Sequence, residues 1–216
     1  MNISTKLYKV YIEQLPKKGQ HILAYQTENQ IVFYQAYKHN IADFAVENQF
    51  LGGPEYSYNR MSWIKPNFLW MMYRCGWAEK EGQERVLALW IDKSDFEKIL
   101  NEAVISSFNK KYHESNETWK AELNSKEVRL QWDPDHDPHG NKVERRAIQL
   151  GMKGGILEEF GKRYIKRIED ITEFVTRQKC LLDSGKIDEL LVPVEAIFKP
   201  SDKLLSDRIG IDDLTF

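Results

Sequence analysis

The stretch HILAYQTENQIVFYQAY (21–37) reads as two strands, HILAY and IVFYQAY, joined through the polar turn QTENQ. Both runs are rich in β-branched and aromatic residues, which fit a pleated, half-buried surface. Working outward, Asn40 is placed to cap a short helix with Ile41, Phe44 and Ala45 on one face. LGGPEYSYN (51–59) is a loop, loose at its glycines and stiffened at Pro54. ERVLALWI (84–91) has the look of a buried strand, and KEVRLQW (126–132) alternates like a half-buried one. RRAIQLGM (145–152) suits either strand or helix. Ser94 and Glu97 form an S-x-x-E capping box opening a helix to about Phe108, and another helix covers SNETWKAEL (115–123). From Gly155 to about Cys180 the pattern is helical, with a break near Asp170, where Asp170 and Glu173 can cap a second segment. A short helix (186–191) and a strand (195–199) close the chain. Strands and helices interleave without a steady βαβ rhythm. The reading is therefore α+β, a single domain over residues 1–216 with a mixed or antiparallel sheet and packed helices.

Hydrophobic residues make up 42% of the 216 and charged residues 30%, the balance of a chain that can bury a core. The net charge of −2 gives no bulk attraction to nucleic acid or membrane, so any polyanion must meet a local patch. Cys75 and Cys180 lie far apart and in no CxxC pattern, as expected of two reduced thiols. The first residues carry no apolar leader core and no segment is long and apolar enough to span a bilayer. The expectation is a cytoplasmic protein without membrane association.

Chemistry concentrates in NRMSWIKPNFLWMMYRCGW (59–77), which holds half of the six tryptophans together with Arg60, Lys65 and Arg74. Pro66 suits the first turn of a helix and Gly76 its stop. Phe68, Met71, Met72 and Cys75 then share an apolar stripe, while Asn67, Trp70 and Arg74 fall on another. Long cations beside aromatics either snorkel to solvent or hold an anion, and a Trp face beside a phosphate-binding Arg is a common nucleotide cradle. A wholly structural cation–π cluster fits the same residues.

Other candidates are weaker. In QWDPDHDPHGN (131–141), Asp133, Asp135, Asp137, His136 and His139 could gather round a divalent cation. The run lacks the Gly and Glu of a calcium loop, and its two prolines favour a rigid, solvated turn. If strand ends meet, Arg60, Arg85 and Arg146 could converge on a phosphate. GMKGG (151–155) has neither of the glycine spacings that cradle phosphates, and no nucleophile elbow, zinc-protease or kinase signature is present. The basic run GKRYIKRIED (161–170) reads as a solvated helix face.

With these residues in view, the chain resembles the bacterial and fungal family catalogued as domain of unknown function 4291. The likeness rests on YQAY (34–37), RMSWIKPNFLWMMYRCGW (60–77), GQERVLA (82–88), VRLQWDPD (128–135), RAIQLGM (146–152) and VPVEAIFKP (192–200). It implies one intact domain and carries no assigned activity. The motif residues it implies are Gln35 and Tyr37, then Arg60, Trp63, Lys65, Pro66, Trp70, Arg74 and Trp77. Further along they are Gln83, Arg85, Gln131, Asp133, Arg146, Gln149 and Glu195. The family pattern has an Arg where this chain has Leu23, and the loop histidines lie outside it. The order FYQAY, NIADFAVEN, FLGG is also similar to the start of ADP-ribosyltransferase-like folds, where a late Glu completes an NAD site; Glu195 would be that residue.

Two functions follow as expectations. One is an enzyme on a phosphate-bearing ligand (a nucleotide, NAD or a nucleic-acid end), with a transferase of the ADP-ribosyl type as the form the second resemblance implies. Arg60, Lys65, Arg74, Arg85 and Arg146 would hold phosphate, Trp63 or Trp70 would stack on a ring, and Gln35 and Tyr37 would line the site. Glu195 or Asp133 would serve as base or hydroxyl acceptor. The other is a non-catalytic RNA- or protein-binding module with a Trp/Arg recognition face.

Overall fold

A computed structural model gives the structure of the protein and describes residues 1–213. The chain opens with β1 (Thr5–Leu7), α1 (Tyr8–Ile12), β2 (Gly19–Gln20), β3 (Ile22–Tyr25) and β4 (Gln30–Tyr37). Next come α2 (His39–Asn48), β5 (Ser62–Ile64), α3 (Phe68–Cys75), β6 (Arg85–Asp92) and α4 (Lys93–Glu102). β7 (Ala103–Ile105) and α5 (Asn116–Ser125) precede the long hairpin of β8 (Val128–His136) and β9 (Lys142–Met152). α6 (Gly154–Glu159) runs through a π-helical turn (Phe160–Tyr164) into β10 (Ile165–Asp170) and α7 (Thr172–Asp183). A single 3-10 turn (Ile187–Glu189), β11 (Leu191–Pro193), β12 (Glu195–Phe198) and α8 (Lys203–Ile209) complete it.

The architecture is α+β, as the sequence predicts, and is organised around β4. This strand pairs antiparallel with β6, which pairs with β10 on its far side. Both faces of β4 are covered, which is why IVFY reads as an unbroken apolar run. Ile31 and Phe33 face a core shared with β8, β9 and α4, whereas Val32 and Tyr34 face a second core built with α3 and α7. A mixed sheet lies across the first core. In it β9 pairs antiparallel with β8 and, at the two ends of its other edge, antiparallel with β5 and parallel with β2, while β7 adds in parallel to β8. The two arms of the 21–37 stretch meet only at a Gln26–Ile31 bridge and then diverge, β3 to β12 and β4 to β6.

Several local expectations are corrected by tertiary contacts. α2 starts at His39, so Asn40 is already inside it and its amide donates to Glu55 at 2.6 Å. The S-x-x-E box does not form, because α4 begins a residue before Ser94; Glu97 instead accepts from Ser201. That helix stops at Glu102, where Ala103 turns extended to join β8. The continuous helical pattern expected from Gly155 gives way at residues 165–170 to a strand, since β6 offers an open edge and Ile165 and Ile168 can be buried there. α7 starts at Thr172, with Ile171 at its N-cap and Glu173 inside the helix. Asp170 therefore lies one residue outside the expected cap position, where it accepts from the Thr172 N–H at 2.8 Å. The expected helix over 186–191 shrinks to its 3-10 turn. Among the described residues no helix is long and apolar enough to cross a membrane.

The acidic loop also contracts, because β8 continues to His136. What remains is a turn in which Asp137 accepts from the N–H groups of His139 and Asn141 at 2.9 Å. Asp135 points inward to Arg145 at 2.5 Å, both fully buried, so its carboxylate is committed to an ion pair rather than a cation site. Removing one partner of such a pair strands the other charge without solvent. We therefore expect Arg145→Met to lower the urea-denaturation free energy by about 3–5 kcal/mol, and the double variant with Asp135→Leu to recover part of that loss.

Candidate functional site

The site is built on β5, a three-residue strand with hydrogen bonds on both sides. One edge pairs with β9 in the register Ser62–Met152, Trp63–Gly151 and Ile64–Leu150. On the other side Tyr34 and Lys65 exchange backbone bonds of 2.7 and 3.3 Å, tying this sheet to β4. Strand alternation sends Ile64 into the core with Leu130 and Leu150. Trp63 lies on the opposite face, its ring so close over Gly151 that an added Cβ would sit 2.8 Å from it. By cross-strand register Gln131, Asp133 and Gln149 share that outer face. There the Gln149 amide donates to Asp133 at 2.7 Å and to Gln131 at 2.8 Å, fixing the carboxylate's orientation.

Lys65 is 5% exposed, and its ammonium donates to the Trp63 carbonyl at 3.2 Å. Burial, reinforced by the neighbouring charge of Arg74, pulls its pKa down to about 8; Cys75 and Asp133 pull the other way. Asp133 is thus within electrostatic reach without forming an ion pair. Arg74 arrives from the last turn of α3, where a cation suits the helix C-terminus. The placement of α3 is well determined. Asn67 caps it through the Trp70 N–H at 2.8 Å, Pro66 sits just outside the cap, and Gly76 closes it at φ 57°.

On the other side of β5 the Gln35 amide donates to Ser62 Oγ at 2.7 Å and to the same Trp63 carbonyl at 3.2 Å. Tyr37 donates its hydroxyl to Gln35 at 2.7 Å. Tyr37 and Ser62 floor a cleft of about 460 Å³ walled by Ile41, Tyr56 and Met61, with the exposed Arg60 among its lining residues. Arg146 is also exposed and lies with Asp133 and Gln131 along a separate cleft of about 280 Å³ beside Tyr112 and Trp132. Among the described residues every other arginine holds a carboxylate or a backbone carbonyl. Arg60, Arg74 and Arg146 hold neither.

The remaining candidates fall elsewhere. Arg85 is held by Asp43 and Asp170, so Arg60, Arg85 and Arg146 occupy three separate places instead of converging. Trp70 is buried, against the expectation of an open face, and stacks with Tyr73 and His136 at 5.4 and 5.1 Å between centroids. Glu195 is buried at the start of α3, accepting from the Phe68 N–H at 2.5 Å and the Asn67 amide at 2.9 Å. Burial raises its pKa well above the usual carboxylate range, while the Phe68 N–H opposes the shift. Ser62, Met61 and Gly151 were not singled out from sequence. A glycine within a strand signals close approach of another group, but its partner depends on register.

Two outcomes follow from this geometry. A folded-state pKa of about 8 against 10.5 for the unfolded chain means the penalty on charged Lys65 is complete below pH 8. Between those values the unfolded chain binds more protons, so the penalty fades as pH rises. Lys65→Met should therefore be more stable than the parent at pH 7, by up to about 3 kcal/mol. That advantage should shrink toward pH 10.5 in parallel thermal melts. Gly151→Ala must push aside Trp63 and Met61, so we expect a changed tryptophan emission and a stability loss of about 1–3 kcal/mol.

The outer-face residues Trp63, Gln131, Asp133 and Gln149 belong to the motifs that carry the family likeness, which also supply part of the lining of each cleft. None of the curated proteins matches the chain. The family model described as Domain of unknown function (DUF4291) matches residues 21–198, a span that includes β5, α3, the β8–β9 hairpin and Glu195. The chain belongs to the DUF4291 family.

Proposed function

We propose that this protein is an enzyme acting on a phosphate-bearing ligand, with a nucleotide as the unit recognised. The observation that carries this reading is the buried Lys65, within electrostatic reach of Arg74 from α3 and of Asp133 on the outer face, with neither cation in an ion pair with a carboxylate among the described residues. Folded proteins rarely keep a buried ammonium and a nearby guanidinium without counter-ions unless something else supplies the negative charge. A phosphate does so through charge-assisted hydrogen bonds. Trp63, half-buried and lying flat over Gly151, offers a stacking surface on the same face.

The division of chemistry follows from the environments. Lys65 and Arg74 stabilise charge developing on phosphate oxygens. Asp133, oriented by Gln149, accepts a proton or aligns a hydroxyl. With a pKa near 8, Lys65 can also exchange a proton close to neutral pH. An ADP-ribosyl transfer from NAD relying on Glu195 is less well supported, because that carboxylate already satisfies the N-terminus of α3. A non-catalytic RNA- or protein-binding face would use Trp63 and Arg74 equally well but has no need of Asp133.

The test is thermal stability against AMP, ATP, GTP, NAD and a short RNA, with product analysis of each mixture. A ligand at a hundred times its Kd should add about 2.7 kcal/mol. We expect Arg74→Ala to abolish the shift, and Asp133→Asn to keep it while losing conversion of the ligand. Unchanged melting with every nucleotide would overturn the phosphate reading. Binding with no conversion, in the parent as in Asp133→Asn, would leave the binding module.

A further inference from the structure

We infer that the Tyr37–Arg60 cleft is a second ring-and-phosphate subsite, so that the natural ligand holds two nucleotide units rather than one. This rests on the nucleotide reading of the Lys65 face and extends it. The cleft offers the same pair of features in different residues. Its walls are aromatic and apolar, with Tyr37 and Tyr56 edge-on at 6.0 Å and Ile41 and Met61 beside them. Its one uncommitted charge is Arg60, because Lys38 is already paired with Glu55. Ser62 Oγ and the Tyr37 hydroxyl supply polar contacts at the floor.

The two subsites are contiguous. Met61 lines the cleft, and its sulfur would meet a Cβ on Gly151 at 2.8 Å, the same close distance as the Trp63 ring. The Met61 side chain therefore lies between the cleft and the Trp63 surface. They are linked through the buried Gln35 as well, which donates to Ser62 Oγ of the cleft and shares the Trp63 carbonyl with Lys65. Register supplies a ruler. Trp63 aligns with Gly151 and Asp133 with Ala147, four residues apart on the same face of β9, or about 14 Å at the rise of a strand. A mononucleotide with its ring on Trp63 and its phosphate at Lys65 leaves the cleft unfilled. A second ring and phosphate linked to the first reach it. Both a dinucleotide joined through pyrophosphate and a single-stranded nucleic-acid end have this chemistry.

Isothermal titration of AMP, NAD and the 5′-phosphorylated diadenylate pApA into the full chain tests the inference. Linking two units should tighten binding at least about tenfold over AMP. Arg60→Ala, an exposed position, should bring NAD and pApA down to the affinity of AMP, and Arg74→Ala should weaken all three. Tightening with NAD alone identifies a pyrophosphate-linked ligand, and with pApA alone a nucleic-acid end; either supports the second subsite. Equal affinities for all three, unaffected by Arg60→Ala, would overturn it while leaving the Lys65 face a nucleotide site. Failure of all three to bind would remove both readings together.

Discussion

The Tyr34–Lys65 backbone bridge is the joint on which this fold turns. β4 is an edge strand of one sheet, β9 is an inner strand of the other, and they have no ladder in common. β5 closes the gap by pairing fully with β9 and then exchanging two hydrogen bonds with Tyr34. Buried backbone groups must be satisfied somewhere, so a three-residue strand between two sheets is held on both edges. That constraint fixes the direction of every side chain from Ser62 to Lys65. Ile64 completes the core, while Ser62 and Lys65, on opposite faces, can both engage partners of the Trp63 carbonyl.

The second constraint is the anchoring of α3. A carboxylate at a helix N-terminus is stabilised by the free N–H groups and by the helix dipole. Glu195, from a strand 128 residues beyond Asn67, supplies it in a buried setting. Phe68, Met71, Met72 and Cys75 then lock the helix against Val32, Tyr34 and the α7 side of the second core. Because both the cap and the apolar face are determined, the last turn is too, and Arg74 is held near Lys65. Glu195 serves the site through the helix it anchors, without touching the outer face.

What the sequence revealed divides along the same line. Period-two alternation and β-branched content are local, so IVFYQAY, ERVLALWI and KEVRLQW were readable as strands. The stop of α3 is readable from Gly76 for the same reason, whereas Pro66, expected in its first turn, lies outside it because Asn67 is the cap. Partnership is not local. Nothing in GKRYIKRIED distinguishes a solvated helix from an edge strand until β6 is known to have an open edge. The fate of each cation follows the same rule. Arg85 and Arg74 look alike in the sequence, but Asp43 and Asp170 neutralise the first and no carboxylate reaches the second. Trp70 was read as open because helical spacing set it apart from the apolar stripe, whereas His136 and Tyr73 close over it.

Unpaired charges are the costly part of this arrangement, and their cost bears on function. Arg145 is as buried as Lys65, yet it is satisfied by Asp135, an arrangement that can be explained by folding alone. Lys65 has only a carbonyl, and its depressed pKa measures how poorly the folded protein solvates its charge. A methionine of similar length would fill the same space without that penalty. A sequence that keeps the lysine there, beside an equally unpaired Arg74 and an oriented Asp133, gives up stability at that position. Local rules broken without structural compensation tend to mark the places where a protein meets its ligand. The same reasoning places Arg145 and Glu195 in the scaffold and supports the role proposed for Lys65, Arg74 and Asp133.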